Sequence, residues 1–267
     1  MYAAVDVGGT KTLVAVFDEN GTITEEIKFP TNQNYDDFLK DLAATVAKLT
    51  TSSFKRAAVA VPSSVDRQQG LGLVFGNLAW SDVPIMGDSA RILGCPVIIE
   101  NDANLAGLSE AHLISNLYRK VYYLTVSTGI GGGYVVEGKL DPDTINAEVG
   151  KQVFQHEGKE VTWESFASGK AIVAKYGKQA SEITDTNAWD DIAHNLSIGI
   201  YNIIMSYTPE VIVVGGGVGG HLDKFKHLLE EKLKSYNPSL NFPPILQAQR
   251  PNEAVVYGCY ELAKAQE

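Results

Sequence analysis

STGIGGG, residues 127–133, lies between an apolar run at 121–126 and a second at 134–136, and a related stretch, DVGGTK, occupies residues 6–11. A lone glycine-rich turn is most simply a tight hairpin. Two of them, each joined to a strand-like segment, point instead to phosphate loops. Glycine lets successive backbone N–H groups turn toward an anion without a Cβ in the way. Thr10 and Thr128 each add a hydroxyl donor. The pair makes nucleotide or polyphosphate binding the leading expectation.

Working outward, residues 2–6 and 12–17 read as strands flanking the first loop, and Asn20-Gly21 is a hairpin signal leading to a third strand at 23–29. Residues 35–49 carry Phe38, Leu39, Leu42, Val46 and Leu49 on one helical face, and 57–61 returns as a buried strand closed by Pro62. A short helix is predicted at 89–93, a buried strand at 96–100 and a helix at 103–115. The run at 121–126 then begins a second strand, loop, strand unit. The repeated order hints at an old duplication, with no run of identity long enough to show it.

A third glycine cluster, GGGVGG at 215–220, follows the apolar run 211–214 and precedes a helix predicted at about 222–233. Strand, glycines, helix suits an adenosine or phosphate, but close packing of helix on strand requires glycine equally, so both readings stand. The position and the missing acidic strand end do not fit a dinucleotide-binding unit, and no GxxxxGK[ST] pattern occurs.

Composition narrows the classes. The chain has 267 residues, 45% of them hydrophobic, and a formal charge of -10. At roughly 150 residues per domain this suits two lobes with separate cores. The acidic balance, with no basic run longer than Lys55-Arg56 or Arg119-Lys120, argues against a nucleic-acid partner. Cys95 and Cys259 are too few for a disulfide framework or a four-cysteine metal site. The chain opens on strand-like sequence without a leader pattern, and its apolar runs are far short of the ~20 residues that span a bilayer. A cytoplasmic, reduced protein off the membrane is expected.

DVGGTK, NLAW at 77–80, NDAN at 101–104, STGIGGG, NAEVG at 146–150 and GGGVGG occur in the order and spacing of the ROK sugar kinases, and the chain resembles that family from residue 1 to about 262. The resemblance implies the two-lobed actin-like ATPase (ribonuclease H-like) fold, an α/β architecture in which each lobe is a mixed five-stranded sheet with flanking helices and the substrates occupy the cleft. Residues 1–110 plus 250–267 would form an N-terminal sugar and phosphate lobe, with a C-terminal helix at about 255–265 returning to it. Residues 111–249 would form the nucleotide-binding lobe. The implied activity is ATP- and Mg²⁺-dependent phosphorylation of a hexose hydroxyl, glucose by default.

Phosphoryl transfer to a hydroxyl needs clamped phosphates and a base for the hydroxyl proton. Asp102 follows a buried strand and precedes a helix, where an N-cap is the plain alternative; the resemblance makes it the base. Sugar epimers are told apart by fixed polar partners, and Asn77, Asn101, Glu148 and Glu164, the last within WESFASG at 163–169, match family positions that supply them. The phosphates are assigned to Gly8, Gly9, Thr10, Lys11, Thr128, Gly129 and Gly131, and also to Gly216 and Gly217. Lys11 has the alternative of an exposed strand-start lysine. Asp6 is the Mg²⁺ carboxylate, acting through water, since that ion keeps much of its hydration shell. Trp80 is read as a packing residue.

Two positions depart from the family pattern. Most members carry a histidine after the AEVG-like motif that joins three cysteines around a structural zinc; here Lys151 stands there, and 153–164 holds no cysteine, so no zinc site is expected and His156 alone cannot make one. Lys151 is expected at the sugar site, pairing with Glu148 or Glu164. In VPSSVD at 61–66, Ser63 replaces a glycine whose backbone approaches the sugar, adding a Cβ and a hydroxyl. Polyphosphate as donor is the nearer alternative, as in zinc-free relatives. A non-catalytic sugar-sensing protein is the other, although the DNA-binding segment of ROK repressors would precede the first loop, where only residues 1–5 stand. Many relatives are dimers, which admits a homodimer here.

Overall fold

The computed structural model describes residues 1–266. The chain divides into two compact units, one formed by Met1–Ser109 with the stretch from Asn252 onward, the other by Glu110–Pro251. Both are α/β, as the resemblance implies.

In the first unit β1 (Tyr2–Val7) pairs antiparallel with β2 (Lys11–Phe17), which pairs antiparallel with β3 (Ile23–Pro30). On its other side β1 runs parallel to β4 (Arg56–Val61). A three-stranded sheet follows, made of β5 (Ser63–Asp66), β6 (Leu71–Phe75) and β7 (Ser81–Val83). Then β8 (Val97–Asn101) closes the main sheet in the order β3-β2-β1-β4-β8. Central strands covered on both faces need apolar residues throughout, and β1 and β4 read YAAVDV and RAAVAV; edge strand β3 alternates half-buried and exposed.

One face carries α1 (Tyr35–Val46) and α2 (Ile85–Leu93), which bury Phe38, Leu42, Ile85 and Leu93 against Val5, Val14 and Val59. The Asn34 side chain caps α1 by accepting from the Asp37 N–H at 3.0 Å. Trp80 packs in this core against Phe38 and donates its Nε1–H to the Gln33 carbonyl at 3.1 Å. The opposite face takes the C-terminal helix, Ala254–Lys264, whose Val256, Cys259 and Ala263 lie on the small residues Ala4, Ala58 and Ala60. Here Gly258 is obligatory, because a Cβ would strike the Leu105 carbonyl of α3 (Asp102–Leu113).

The second unit repeats the plan. Strands β9 (Lys120–Val126), β10 (Ile130–Val136) and β11 (Lys139–Leu140) form an antiparallel meander. A hairpin of β12 (Val153–His156) and β13 (Lys159–Thr162) and the helices α4 (Trp163–Ala167), α5 (Gly169–Tyr176) and α6 (Thr186–Tyr207) come next. Then β14 (Val211–Gly215) pairs parallel with β9 and with β15 (Ile245–Gln247), giving the order β11-β10-β9-β14-β15. The short α7 (Gly216–Gly219) and α8 (Leu222–Tyr236) follow β14. Ile192, Leu196, Ile200 and Ile203 of α6 and Phe225, Leu229 and Leu233 of α8 share the core with Leu124, Val126 and Ile212. Three antiparallel strands and then two parallel ones, in both sheets, carry the duplication hint at the level of topology.

The structure departs from the sequence expectation in places. The first helix stops at Val46 rather than 49, and α2 begins at Ile85, four residues before its predicted start. Asp102 is itself the first residue of α3. The β5-β6-β7 sheet, the β12-β13 hairpin and α6 were not expected; the hairpin turns on Glu157 and Gly158, both at positive φ. No described helix is long and apolar enough to cross a membrane.

Candidate functional site

In the first unit the β1-β2 turn is closed by the Gly8 N–H on the Lys11 carbonyl at 3.0 Å. Neither Gly8 nor Gly9 has positive φ, so the need for glycine is one of close approach. A Cβ on Gly8 would lie 2.8 Å from the Lys11 carbonyl oxygen, and one on Gly9 would lie 2.9 Å from the Asn77 Cβ. Asn77 is thereby set against the loop. Thr10 is exposed, with its carbonyl accepting from Thr31, and Lys11 is exposed at the start of β2.

The end of β8 and the start of α3 bring Asn101 and Asp102 into the same unit. Asn101 performs the capping: its Oδ1 accepts from the N–H groups of Ala103 at 2.9 Å and Asn104 at 3.3 Å. Asp102 accepts from the Ala103 N–H at 2.8 Å. Burial first, and the Asp102 charge second, push the Asp6 carboxyl up from 3.8 to about 7. Asp6 and Asp102 are therefore a like-charged pair. Ser63 is buried; its hydroxyl donates to the Ser64 carbonyl at 2.7 Å and accepts from the Val74 N–H at 3.1 Å. It reaches the Asn101–Asp102 pair through its carbonyl, which accepts from Asn101 Nδ2 at 3.3 Å.

In the second unit the loop after β9 is pinned by Ser127, whose N–H donates to the Gly129 carbonyl at 2.9 Å and whose carbonyl accepts from the Gly169 N–H at 2.6 Å. Thr128 is exposed and Gly131 half-buried. Glu164, in the first turn of α4, lies against this loop: a Cβ on Gly129 would be 2.9 Å from its Oε2. Lys151, on the single turn Val149–Lys151, donates from its ammonium to Glu164 Oε1. Glu148 is raised above the ordinary carboxylate range by burial, with Lys151 pulling it down and Glu164 pushing it up. So Glu148, Lys151 and Glu164 form one electrostatic group beside the second glycine loop. His156 stacks on Phe166, ring centroids 4.1 Å apart.

The third glycine cluster joins the same region. Gly216 has φ +82°, and a Cβ there would lie 2.7 Å from Thr125 Oγ1 and would crowd the Val126 carbonyl at the end of β9. Gly217 faces open space. Close packing explains Gly216; at Gly217 it does not apply, and the backbone is open to a ligand.

Sequence reading passed over four residues here. Gly150 and Gly169 pack on the second loop through the carbonyls of Ile130 and Ser127. Arg67, itself half-buried, forms an ion pair with the buried Glu100 behind Asn101. The glycines stood in motifs already quoted, and their role is visible only from what they touch.

The chain is similar to known proteins along its length. A model of the ROK family matches residues 2–266. The N-acetyl-D-glucosamine kinase of Haemophilus influenzae is 29% identical over 98% of this chain and 99% of that protein. The glucokinase of Streptomyces coelicolor is 25% identical over 97% and 96%. Among solved structures, a ROK family glucokinase from Streptomyces griseus in complex with glucose and AMPPNP superposes with a TM-score of 0.81 at 23% identity, covering 99% of each chain. The fold is thus the actin-like ATPase fold that the family resemblance implied.

Proposed function

This chain belongs to the ROK family, and on that premise we propose that it is a sugar kinase that moves the γ-phosphoryl group of ATP to a hexose hydroxyl with Asp102 as the general base. The carrying observation is the start of α3, where Asn101 caps Asn104 and Asp102 stands within electrostatic reach of Asp6 at the end of the first glycine loop's strand. Relatives that phosphorylate glucose and N-acetyl-D-glucosamine support the sugar as acceptor.

The chemistry follows from the residues. As the sugar oxygen bonds to the γ-phosphorus and the bond from that phosphorus to the ADP oxygen breaks, the hydroxyl proton passes to the Asp102 carboxylate. The transition state is loose, so catalysis is mainly positioning and charge stabilisation. Backbone N–H groups around Gly8, Gly9 and Thr10, and around Thr128, Gly129 and Gly131, suit the phosphates, with the open backbone at Gly217 a further contact. Asn77, Asn101 and the carboxylates Glu148 and Glu164 orient the sugar.

Mg²⁺ fits this site on the chemistry of its donors. A buried carboxyl held up to about 7 beside a second carboxylate is an arrangement a cation relieves. Asp6 would hold the ion through water, and the ion would offset charge on the phosphates. Lys151 already supplies the cation of the second unit's carboxylates, which is why no further metal is invoked there.

The test is sugar-phosphate formation with ATP and Mg²⁺ across glucose, mannose, fructose, N-acetylglucosamine and N-acetylmannosamine. Turnover on one of them that is lost in Asp102→Asn is the expected result. Turnover with polyphosphate and none with ATP would overturn the donor, and no turnover with either would overturn the reading.

A further inference from the structure

We propose that Arg67 and Glu100 are positioning residues for the Asn101–Asp102 pair, and that the β5-β6-β7 sheet is the brace through which they act. The inference rests on the kinase reading above.

Glu100 is the last residue before that pair, and its side chain is 3% exposed. A carboxylate so buried is costly unless every lone pair is used. Arg67 donates to it through both arms of the guanidinium, Nε to Oε2 at 2.6 Å and Nη2 to Oε1 at 2.5 Å. Oε1 also accepts from the Asn101 N–H at 2.7 Å and from Asn104 Nδ2 at 2.9 Å. One carboxylate thus grips the backbone on one side of Asp102 and a side chain on the other. The turn carrying the proposed base is held at both ends by this one buried carboxylate.

Arg67 comes from the turn after β5, which is folded by Asp66 Oδ1 accepting from the N–H groups of Gln68 at 3.0 Å and Gln69 at 2.9 Å. The same strand begins with Ser63, whose carbonyl accepts from Asn101 Nδ2 at 3.3 Å. The small sheet therefore meets the pair at two points, ionic at Arg67 and through backbone at Ser63. A planar fork engaging both carboxylate oxygens fixes orientation as well as charge, which a lysine cannot do.

The two effects of losing Arg67 can be separated. Arg67→Met leaves the buried Glu100 carboxylate without its cation, and it should turn away from Asn101 and Asn104. Glu100→Gln added to Arg67→Met keeps an acceptor for those two donors and removes the orphaned charge. Steady-state kinetics with the preferred sugar, alongside circular dichroism to measure the folded fraction, is the experiment. The expected result is a fall in kcat of about tenfold or more for Arg67→Met, with the nucleotide KM unchanged, and recovery of most of it in the double variant; a tenfold change in rate corresponds to about 1.4 kcal/mol in the barrier. Arg67→Lys should recover only part. Wild-type kcat in Arg67→Met, a fall matched by loss of folded protein, or a double variant no better than the single would each overturn the inference and leave the kinase reading standing. A wild-type chain that turns over no sugar would overturn that reading, and this inference with it.

Discussion

The two glycine loops sit at equivalent places in sheets of equivalent order, yet the carboxylates beside them are balanced differently. Next to the first loop, Asp6 has Asp102 as its charged neighbour, and its carboxyl is pushed up to about 7. Next to the second, Glu164 is paired with Lys151, and Glu148, raised by burial, is drawn part of the way back down by the same lysine. One site carries a like-charged pair that an added cation or a proton relieves; the other carries its own cation. The contrast matches the roles proposed for them. A site that binds a divalent ion with nucleotide must tolerate excess negative charge until the ion arrives, whereas a site that orients hydroxyls needs carboxylates of fixed position.

The comparison can be broken most sharply at Asp102. Asp102→Asn should lower kcat by a factor of about 10² to 10⁴, the usual contribution of a positioned base, with the fold intact by circular dichroism; activity within threefold of wild type, a margin of roughly 0.7 kcal/mol in the barrier, would remove it from the mechanism.

Asp6 comes next. Its folded-state pKa of about 7 lies above the ordinary 3.8, so between those values the native chain holds a proton that the unfolded chain has released. Stability of the ligand-free protein therefore falls as pH rises through that window and carries the full penalty above it, on the order of 4 kcal/mol at most. Asp6→Asn should melt higher than wild type at pH 8 while losing activity, with the melting difference closing toward pH 4. A difference independent of pH would show that the carboxyl is not held out of its normal range.

Glycine substitutions separate packing from site chemistry in the second unit. A Cβ on Gly150 meets the Ile130 backbone carbonyl, which cannot step aside, so Gly150→Ala should cost about 1–3 kcal/mol of stability. A Cβ on Gly129 meets the movable end of Glu164 instead. Gly129→Ala should leave the melting temperature nearly unchanged and raise the sugar KM severalfold, by roughly 1 kcal/mol of binding. Equal melting shifts in the two variants would contradict the contacts described.

The smallest effect is expected at Lys151. Its side chain is 61% exposed, so Lys151→Met should change stability by less than about 1 kcal/mol. It should nonetheless raise the midpoint at which Glu148 titrates, because the charge drawing it down is gone. Following the Glu148 carboxyl by NMR would check the direction, and a lowered midpoint would dismantle the three-residue group.

Much of this was legible in the chain because it depends on neighbours in sequence. Strands, glycine loops and a carboxylate placed between a buried strand and a helix are local patterns, and they located β1, β2, β9, β10, Asp102 and both loops. Helix ends were less legible. The α2 start at Ile85 follows Pro84 and carries no side-chain cap, so no local signal marked it. The β5-β6-β7 sheet was missed since its strands have three to five residues and lean on distant partners.

What the sequence determined by itself was the order of elements, the family and the residue types available for the chemistry, because period, glycine placement and motif spacing are written along one dimension. Only the tertiary structure decided which partner each charge obtained. Lys151 had two glutamates within sequence reach and donates to Glu164; Ser63 offered a hydroxyl and contributes a carbonyl; Glu100, silent in the sequence, became the anchor of Asn101 because Arg67, 33 residues earlier, folds back onto it. The reason is physical: a buried charge or donor must find a partner wherever the packed chain supplies one, and that choice is fixed by distances that no linear spacing records.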